Sequence, residues 1–376
     1  MNFYEIKANN LSSPPQIGSY SPQDVIFVLK DISHLIKEQS TEDREKAIQG
    51  GIHYSEMLPI EYVPSREYLD LFHKTLQVSS FKVAMSVAIV SEKILKKRGR
   101  DIIFVSLARA GTPAGILMKR YIKTKYGIRL KHYSISIIRD KGIDENALIW
   151  ILKNNPGKDI QFIDGWTGKG VINKELYEAC EKFFQRYKIQ LNSDMAVLAD
   201  PGHCVRTFGT REDFLIPSAC LNSTVSGLIS RSVHRKDIIK EDDFHGVKYY
   251  SEWKGLDVSN LFLDEISKHF SLIEINNIEP LEGEVLNTGM KDVKSIQKDF
   301  NISNINLIKP GVGEATRVLL RRLPWLILVD RINNPVLKPV LLLAEEKGTE
   351  VQVYSKMSYS CCGLIKPSKN KNDICI

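Results

Sequence analysis

The sequence predicts an α/β protein with a parallel central sheet. Two apolar runs without helical periodicity, residues 101–107 and 161–163, are each followed by a glycine-containing loop and a helical pattern. A third run, residues 194–200, ends in a turn at residues 200–204. Strand–loop–helix units in this order are typical of parallel sheets, which bind their ligands beyond the carboxyl ends of the strands.

The composition is that of an ordinary globular protein. The chain has 376 residues, of which 43% are hydrophobic and 26% charged, enough for two or three domains. It has no apolar run of about eighteen residues and no cleavable apolar segment after Met1, so we expect a cytoplasmic protein without a membrane partner. Six cysteines without a Cys-x-x-Cys pair or zinc spacing argue against disulfides and a structural metal. The net charge of +7 suits phosphate-bearing partners.

The most informative loop covers residues 164–170 and reads Asp-Gly-Trp-Thr-Gly-Lys-Gly. Glycines allow close backbone approach to a phosphate, and the first N–H groups of the following helix supply donors. We assign ligand contacts in this loop to Gly165, Thr167, Gly168, Lys169 and Gly170. The carboxylate of Asp164 would repel phosphate and is better suited to ribose hydroxyls or a bridging Mg²⁺. Lys169 is followed by glycine rather than Ser or Thr, which excludes a Walker loop.

This loop resembles the phosphoribosyl diphosphate (PRPP) loop of type I phosphoribosyltransferases, in which acidic residues precede Thr-Gly-x-Gly/Ser/Thr and a helix. That family usually has two adjacent acids, whereas this chain has only Asp164, one residue closer to Thr167 than usual. An ordinary glycine-rich turn of an α/β fold would explain the same pattern.

The loop after the first strand resembles the pyrophosphate loop of the same family. It contains Arg109, Ala110, Gly111 and Thr112. The resemblance implies that Arg109 pairs with phosphate oxygens and that Gly111 allows close backbone approach. A surface βα loop is the alternative.

Residues 132–138 alternate like a strand, and residues 139–144 are charged and contain a glycine, as expected for a mobile loop. In phosphoribosyltransferases a flexible loop at this place closes over the transition state. The resemblance therefore implies that Arg139 and Lys141 neutralise the departing pyrophosphate and act with Asp164 as the catalytic groups. A solvated charged turn would account for the same residues.

The first hundred residues are expected to form a mainly helical hood, with helices that begin at Ser21 and Ser65. Residues 50–59 combine polar and aromatic side chains, and His53 and Glu56 are candidates for the wall of a ligand site. Further candidates for ligand contacts follow the later strands and are Asp200, His203 and Asn222. Side chains that only satisfy each other or nearby backbone groups are the alternative.

Residues 307–354 have the element order of a small αβα sandwich. They resemble the pelota-like, kink-turn RNA-binding family of ribosomal proteins, in which a Gly-x-Asn-Glu-x-x-Lys turn reads RNA. In this chain Gly313 stands in place of the Asn. The resemblance implies RNA contacts at Gly311, Gly313, Glu314, Arg317 and Arg321. A solvated helix end would explain the arginines as well.

Both resemblances together make the chain similar to the StiP family, which is found with bacterial tellurite-resistance and stress gene clusters. We expect a type I phosphoribosyltransferase-like domain with its hood at 1–255, a junction at 256–289, a pelota-like domain at 290–366 and a disordered tail at 367–376. The resemblance implies Mg²⁺-dependent phosphoribosyl transfer from PRPP to an acceptor that the sequence does not identify, or the reverse reaction. Whether the chain forms a homodimer is left open.

Two other functions are compatible with the sequence. A regulator that binds PRPP or a nucleotide without turnover, and associates with RNA, would use the same loops. StiP proteins are also often labelled cysteine proteases, and a protease needs a cysteine activated by histidine. Cys204 or Cys220 with His53 is the pairing to test.

Overall fold

The computed structural model describes residues 3–276 and 278–366. The helices in this part of the chain are α1 (Phe3–Asn10), α2 (Thr41–Gln49), α3 (Arg66–Arg98), α4 (Gly111–Tyr126), α5 (Glu145–Lys153), α6 (Val171–Tyr187), α7 (Ser259–Ser267), α8 (Thr288–Asp299), α9 (Val312–Arg321) and α10 (Lys338–Glu346).

The strands in the same part of the chain are β1 (Ile26–Phe27), β2 (Lys30–Asp31), β3 (Glu38–Gln39), β4 (Leu58–Pro59), β5 (Ile102–Ala108), β6 (His132–Ile138), β7 (Gly142–Ile143), β8 (Asp159–Trp166), β9 (Met195–Ala199), β10 (Thr207–Thr210), β11 (Gly246–Val247), β12 (Ile308–Pro310), β13 (Pro324–Val329), β14 (Glu350–Val353) and β15 (Cys361–Ile365).

The main sheet is parallel, as the sequence predicts. Its order is β1-β6-β5-β8-β9-β10, every pair along this path is parallel, and β7 joins β6 in antiparallel fashion. The chain passes from β5 outward to β6 and then crosses back, so that β8 lies on the other side of β5. The direction of winding therefore reverses between β5 and β8, which is where open α/β sheets bind ligands.

Helices cover both faces of this sheet. In β5, Phe104 packs into a cluster with Val87 of α3 and Ile116 of α4. The next residue, Val105, packs into the opposite cluster with Ile149 of α5 and Leu176 of α6. Because both faces of the strand are buried, its sequence is continuously apolar instead of alternating with polar residues.

The C-terminal sheet has the order β12-β15-β13-β14 and lies between two helical layers. Leu328 of β13 shares a cluster with Val293 of α8. Its neighbour Ile327 points to the other face and packs with Ala315 of α9 and Val340 of α10. The predicted αβα sandwich is confirmed, although α8, β12 and β15 were not predicted.

The two domains share one hydrophobic core. Val312 and Leu319 of α9 belong to the same buried cluster as Phe214, Ile216 and Ala219 of the N-terminal domain. The face of the C-terminal domain that carries α9 is therefore packed against the body of the protein.

The prediction that a helix begins at Ser21 is wrong. Residues 21–24 form a single turn, in which the N–H groups of Asp24 and Val25 both donate to the carbonyl oxygen of Ser21. The apolar residues that follow are extended, since β1 pairs with β6 and buries Phe27. The helix after Ser65 is confirmed and continues to Arg98. The hood therefore combines helices with short strand pairs, β2–β11 and β3–β4.

Residues 139–144, expected as a mobile loop, form a compact turn instead. Lys141 N donates to Ile138 O at 3.0 Å, and β7 folds back onto β6. Asp144 is buried and caps α5 by accepting a hydrogen bond from Ala147 N at 3.0 Å. The cap begins the next helix immediately, which leaves no room for an open loop.

The predicted disordered tail, residues 367–376, lies outside the described residues. Within the part of the chain that the structure describes, no helix is both long enough and apolar enough to cross a membrane.

Gly115 is required where α4 crosses β5 and β6. A Cβ atom at this position would lie 2.5 Å from His132 Nε2 and would also collide with Ser106 Oγ, which is hydrogen-bonded to that nitrogen at 2.7 Å. We expect Gly115→Ala to lower the free energy of unfolding by about 1–3 kcal/mol. Urea denaturation would measure it, with Gly255→Ala as the control because a Cβ at Gly255 meets nothing within 4 Å. Equal stability of the two variants would contradict this packing.

Candidate functional site

A cavity of about 320 Å³ lies at the reversal between β5 and β8. Its size is in the range of small-ligand sites. The carboxyl ends of β5 and β8, the segment around Asn222 and helix α9 of the C-terminal domain supply its walls. Its charged and polar lining consists of Arg109, Asp164, Ser218, Asn222, Ser226 and Arg317.

The loops after β5 and β8 are packed directly against each other at the base of this cavity. A Cβ at Gly111 would lie 2.5 Å from Ile163 O, and a Cβ at Gly165 would lie 3.0 Å from Ala110 O. Thr112 is fully buried and its Oγ1 is hydrogen-bonded to Ser134 Oγ at 2.8 Å. Close packing at Gly111 and Gly165 therefore holds the two loops together, and Thr112 anchors the first loop to β6. Arg109 and Ala110 line the cavity.

Arg109 is held in place by the hood and by a later segment of the same domain. Its Nη1 donates to Ile229 O at 3.1 Å and lies 3.5 Å from Glu61 Oε2. Glu61 is itself largely buried and accepts from Ser223 N at 3.3 Å. The sequence reasoning missed Glu61, because no local pattern connects it to a residue 48 positions away.

Asp164 is the carboxylate that lines the cavity. Its Oδ1 accepts a hydrogen bond from Gly165 N at 2.7 Å. Burial raises the pKa of Asp164 to about 7, outweighing the lowering effects of that hydrogen bond and of the Arg317 charge. This carboxyl group can therefore either donate or accept a proton close to neutral pH.

Arg317 of the C-terminal domain also lines the cavity. Its guanidinium carbon lies 4.8 Å from the centroid of the Trp166 ring. Its Nε donates to Ala219 O at 3.2 Å, and its Nη1 donates to Glu314 Oε1 at 2.9 Å. A residue that the pelota-like resemblance assigns to RNA contact is thus directed into the N-terminal domain.

The whole turn that begins at Gly311 faces the domain interface. Asp213 Oδ1 accepts from Val312 N at 2.9 Å, and Asp213 Oδ2 accepts from Ser360 N at 2.9 Å. A Cβ at Gly313 would lie 3.3 Å from Ala219 Cβ. The expected RNA-reading turn is therefore covered in this arrangement, because it packs on the N-terminal domain. The side chain of Arg321 lies outside the described residues.

The C-terminal domain also covers the loop at residues 167–170. Tyr359 Oη donates to Gly168 O at 2.9 Å, and Lys169 Nζ donates to Ile308 O at 3.2 Å. Burial, followed by the charge of Lys309, lowers the pKa of Lys169 to about 8. Gly170 adopts a left-handed conformation (φ 72°) at the start of α6, and a Cβ at this position would lie 3.2 Å from Cys204 Cβ. A phosphate role for Thr167, Gly168, Lys169 and Gly170 stays a prediction. Thr167 is buried, and the other three residues are half-buried.

The remaining catalytic and hood candidates lie around Tyr54, outside the residues that line the cavity. His53 Nδ1 is hydrogen-bonded to Ser55 Oγ at 2.8 Å. Lys141 Nζ donates to Glu56 Oε1 at 3.0 Å. Arg139 N donates to Tyr54 Oη at 3.0 Å. The hood residues are therefore connected to the turn after β6.

The candidates after β9 have different surroundings. Asp200 is fully buried, and its carboxylate accepts from Cys204 N and Val205 N at 2.9 Å and pairs with Arg211. It therefore shapes the turn. His203 occupies that turn with a φ of 52°, and Asn222 lines the cavity.

The five described cysteines, Cys180, Cys204, Cys220, Cys361 and Cys362, are all buried. Cys204 Sγ donates to Gly168 O at 3.1 Å, and burial raises the pKa of this thiol to about 12. Such a thiol is not ionised at neutral pH. Among the described residues no group of three metal-ligating side chains is suited to hold a metal ion.

Comparison with known proteins gives two family matches. The family described as "Tellurite-like stress resistance cysteine protease StiP" matches residues 18–267, and the "PELOTA RNA binding domain" matches residues 287–367. The curated "Cysteine protease StiP" of Acinetobacter baylyi (strain ATCC 33305 / BD413 / ADP1) is 34% identical over 349 residues, which cover 89% of this chain and 90% of that protein. This chain therefore belongs to the StiP family, associated with tellurite-like stress resistance, and carries a pelota-like domain at its C-terminal end.

Proposed function

We propose that this protein binds PRPP in the cavity between β5 and β8 and transfers its phosphoribosyl group to an acceptor. The observation that carries the proposal is the placement of Arg109 and Arg317 around Asp164 at the reversal of the sheet. Guanidinium groups suit phosphate oxygens, and a carboxyl group suits ribose hydroxyls. The cavity volume of about 320 Å³ suits a ligand of this class.

In this reaction the bond between the anomeric carbon of ribose and pyrophosphate breaks, and its electron pair leaves with pyrophosphate. Arg109 stabilises the negative charge that develops on the leaving group. The acceptor forms the new bond to the anomeric carbon and releases its proton, which ionised Asp164 can take up. Asp164 would hold Mg²⁺ together with the phosphates of PRPP, and the ion would supply further neutralisation of the leaving group.

A regulator that binds PRPP or a nucleotide without turnover is the first alternative. The single acid at the cavity, Asp164, favours it, because the PRPP loop of phosphoribosyltransferases usually has two. Release of pyrophosphate from bound PRPP in the presence of candidate acceptors distinguishes the two functions, since a regulator releases none.

Cysteine protease activity is the second alternative, favoured by the name of the Acinetobacter relative. Cys220 lies within the segment that forms one wall of the cavity, between Ser218 and Leu221. It would have to become accessible and ionised to act as a nucleophile, and it is fully buried in this conformation.

PRPP binding tests the proposed site. Isothermal titration calorimetry with PRPP and Mg²⁺ should show saturable binding, weakened about 10- to 100-fold in Arg109→Gln and in Arg317→Gln because each loses a charge-assisted hydrogen bond. Lys123→Gln is the matched control, since Lys123 is exposed near the end of α4 that points away from the cavity. No PRPP binding, or equal affinity in all four proteins, would overturn the proposal.

The raised pKa of Asp164 predicts a pH-dependent stability. The group has a pKa of about 7 in the folded protein against an ordinary value of 3.8, so the folded state binds its proton more tightly between these values. The contribution of Asp164 to the free energy of unfolding therefore falls as the pH rises from about 4 to about 7. We expect the wild type to lose stability relative to Asp164→Asn between pH 5 and pH 8 in urea denaturation. If the free energies of unfolding of the wild type and Asp164→Asn differ by the same amount throughout this pH range, the raised pKa of Asp164 is wrong.

Thiol reactivity tests the protease alternative. We expect the peptides containing Cys204 and Cys220 to remain unmodified by iodoacetamide in the native protein and to react fully in urea, because burial keeps both thiols from the reagent. Mass spectrometry would measure the modification. Rapid native labelling of one of them, together with a peptidase activity that is lost on its replacement by serine and kept in Cys180→Ser, would establish a protease instead.

A further inference from the structure

The carbonyl group of Gly168 is held by both domains. Tyr359 of the C-terminal domain donates its hydroxyl to Gly168 O at 2.9 Å, and Cys204 Sγ of the N-terminal domain donates to the same oxygen at 3.1 Å. Tyr359 is 1% exposed and belongs to the hydrophobic cluster between α8 and the C-terminal sheet. Because this ring is buried, water competes little for its hydroxyl group.

Two further glycines make room for this hydrogen bond. A Cβ at Gly202, in the turn after β9, would collide with Gly168 O. A Cβ at Gly289, in the first turn of α8, would collide with both Gly168 O and Tyr359 Oη. Glycine permits such close approach because it has no side chain. Elements of both domains are therefore shaped around this one contact.

The position of the Gly168 carbonyl fixes the direction of the next N–H group. The peptide bond between Gly168 and Lys169 is trans, so the N–H of Lys169 points away from Tyr359 Oη. Within residues 3–276 and 278–366, no group accepts a hydrogen bond from this N–H. The first N–H groups of α6 follow directly after it, and together such donors attract an anion.

The loop at residues 167–170 borders the cavity between β5 and β8. Trp166, directly before the loop, and Ile172, shortly after it, both line this cavity. In the proposed reaction Arg109, on the β5 side, stabilises the departing pyrophosphate. The loop on the β8 side is then available for the remaining phosphate of PRPP, at the 5-position of ribose.

We propose that Tyr359 is a positioning residue for this loop. Its hydroxyl group holds the Gly168 carbonyl away from the bound 5-phosphate, because two electron-rich oxygens repel each other. The N–H of Lys169 is thereby kept directed towards the phosphate. The C-terminal domain thus completes the ligand site of the N-terminal domain through a side chain that does not itself touch the ligand. This inference rests on PRPP binding as proposed above.

Isothermal titration calorimetry of the full-length protein with PRPP and, separately, with pyrophosphate, each with Mg²⁺, tests this role. We expect Tyr359→Phe to weaken PRPP binding about 3- to 10-fold, the effect of one neutral hydrogen bond. Its affinity for pyrophosphate should be unchanged, because pyrophosphate does not need the loop. Tyr354→Phe is the matched control, since Tyr354 Oη donates to Asp299 Oδ2 within the C-terminal domain at 2.8 Å. This control should bind both ligands like the wild type.

Hydrogen–deuterium exchange, measured by mass spectrometry, follows the loop without any ligand. Thr167 N donates to Ala199 O at 3.1 Å, so exchange of this amide requires the loop to open. We expect faster exchange in peptides that cover residues 165–170 of Tyr359→Phe, because the loop has lost one of the groups that hold it. Tyr354→Phe should exchange like the wild type.

A second variant, Tyr359→Phe/Cys204→Ala, removes both donors to Gly168 O and should accelerate exchange beyond the single variant. Three results would overturn the role of Tyr359. These are unchanged exchange in Tyr359→Phe, equal weakening of PRPP and pyrophosphate binding, and tighter PRPP binding, which would mean that the hydroxyl group holds the loop closed. If the wild type binds no PRPP, the transferase proposal fails together with this role. If it binds PRPP and exchange is unchanged, only the role of Tyr359 fails.

Discussion

The structure depends on the half-buried carboxylate of Asp213, which joins the two domains. It accepts hydrogen bonds from Val312 N and Ser360 N, both at 2.9 Å, and so fixes the start of α9 against the N-terminal body. From that fixed start, α9 carries Arg317 into the cavity and continues the hydrophobic core across the boundary. A half-buried carboxylate with two backbone donors tolerates little movement, because breaking either bond leaves a partly desolvated charge with one partner fewer.

The site itself follows from the winding of the sheet. Crossing from β6 back to β8 brings the loops after β5 and β8 together, although they are far apart in sequence. Gly111 and Gly165 let these loops touch, so that Arg109 and Asp164 share one cavity. The same crossing leaves Asp164 half-buried, and this desolvation raises its pKa to about 7. The proposed chemistry therefore has a proton acceptor near neutral pH.

The sequence predicted the individual strands and helices better than it predicted which of them pack against each other. The strands at β5, β6, β8 and β9 and the αβα order of the C-terminal domain could be predicted because apolar periodicity reports burial along one segment. The turn at Ser21 could not, since a Ser-Pro start resembles a helix cap until the strand after it pairs with β6. Arg109, Asp164 and Asn222 were identified as candidates, whereas Glu61 and the inward position of Arg317 were not.

By itself the sequence determined the parallel α/β class, the glycine loops after the strands, the pelota-like pattern and the excess of basic residues. Each of these features depends on residues that are close together in the sequence. The position of a glycine, the period of apolar residues and the number of charges can all be taken from a short segment. Only the tertiary structure decided that the Gly311 turn faces inward and that the loop containing Gly168 is covered. The same holds for Arg139 and Asn306, which belong to different domains and whose Nη1 and Oδ1 atoms lie 3.4 Å apart. Which faces of two domains meet depends on complementary surfaces distant in sequence, and these are defined only once both domains have folded.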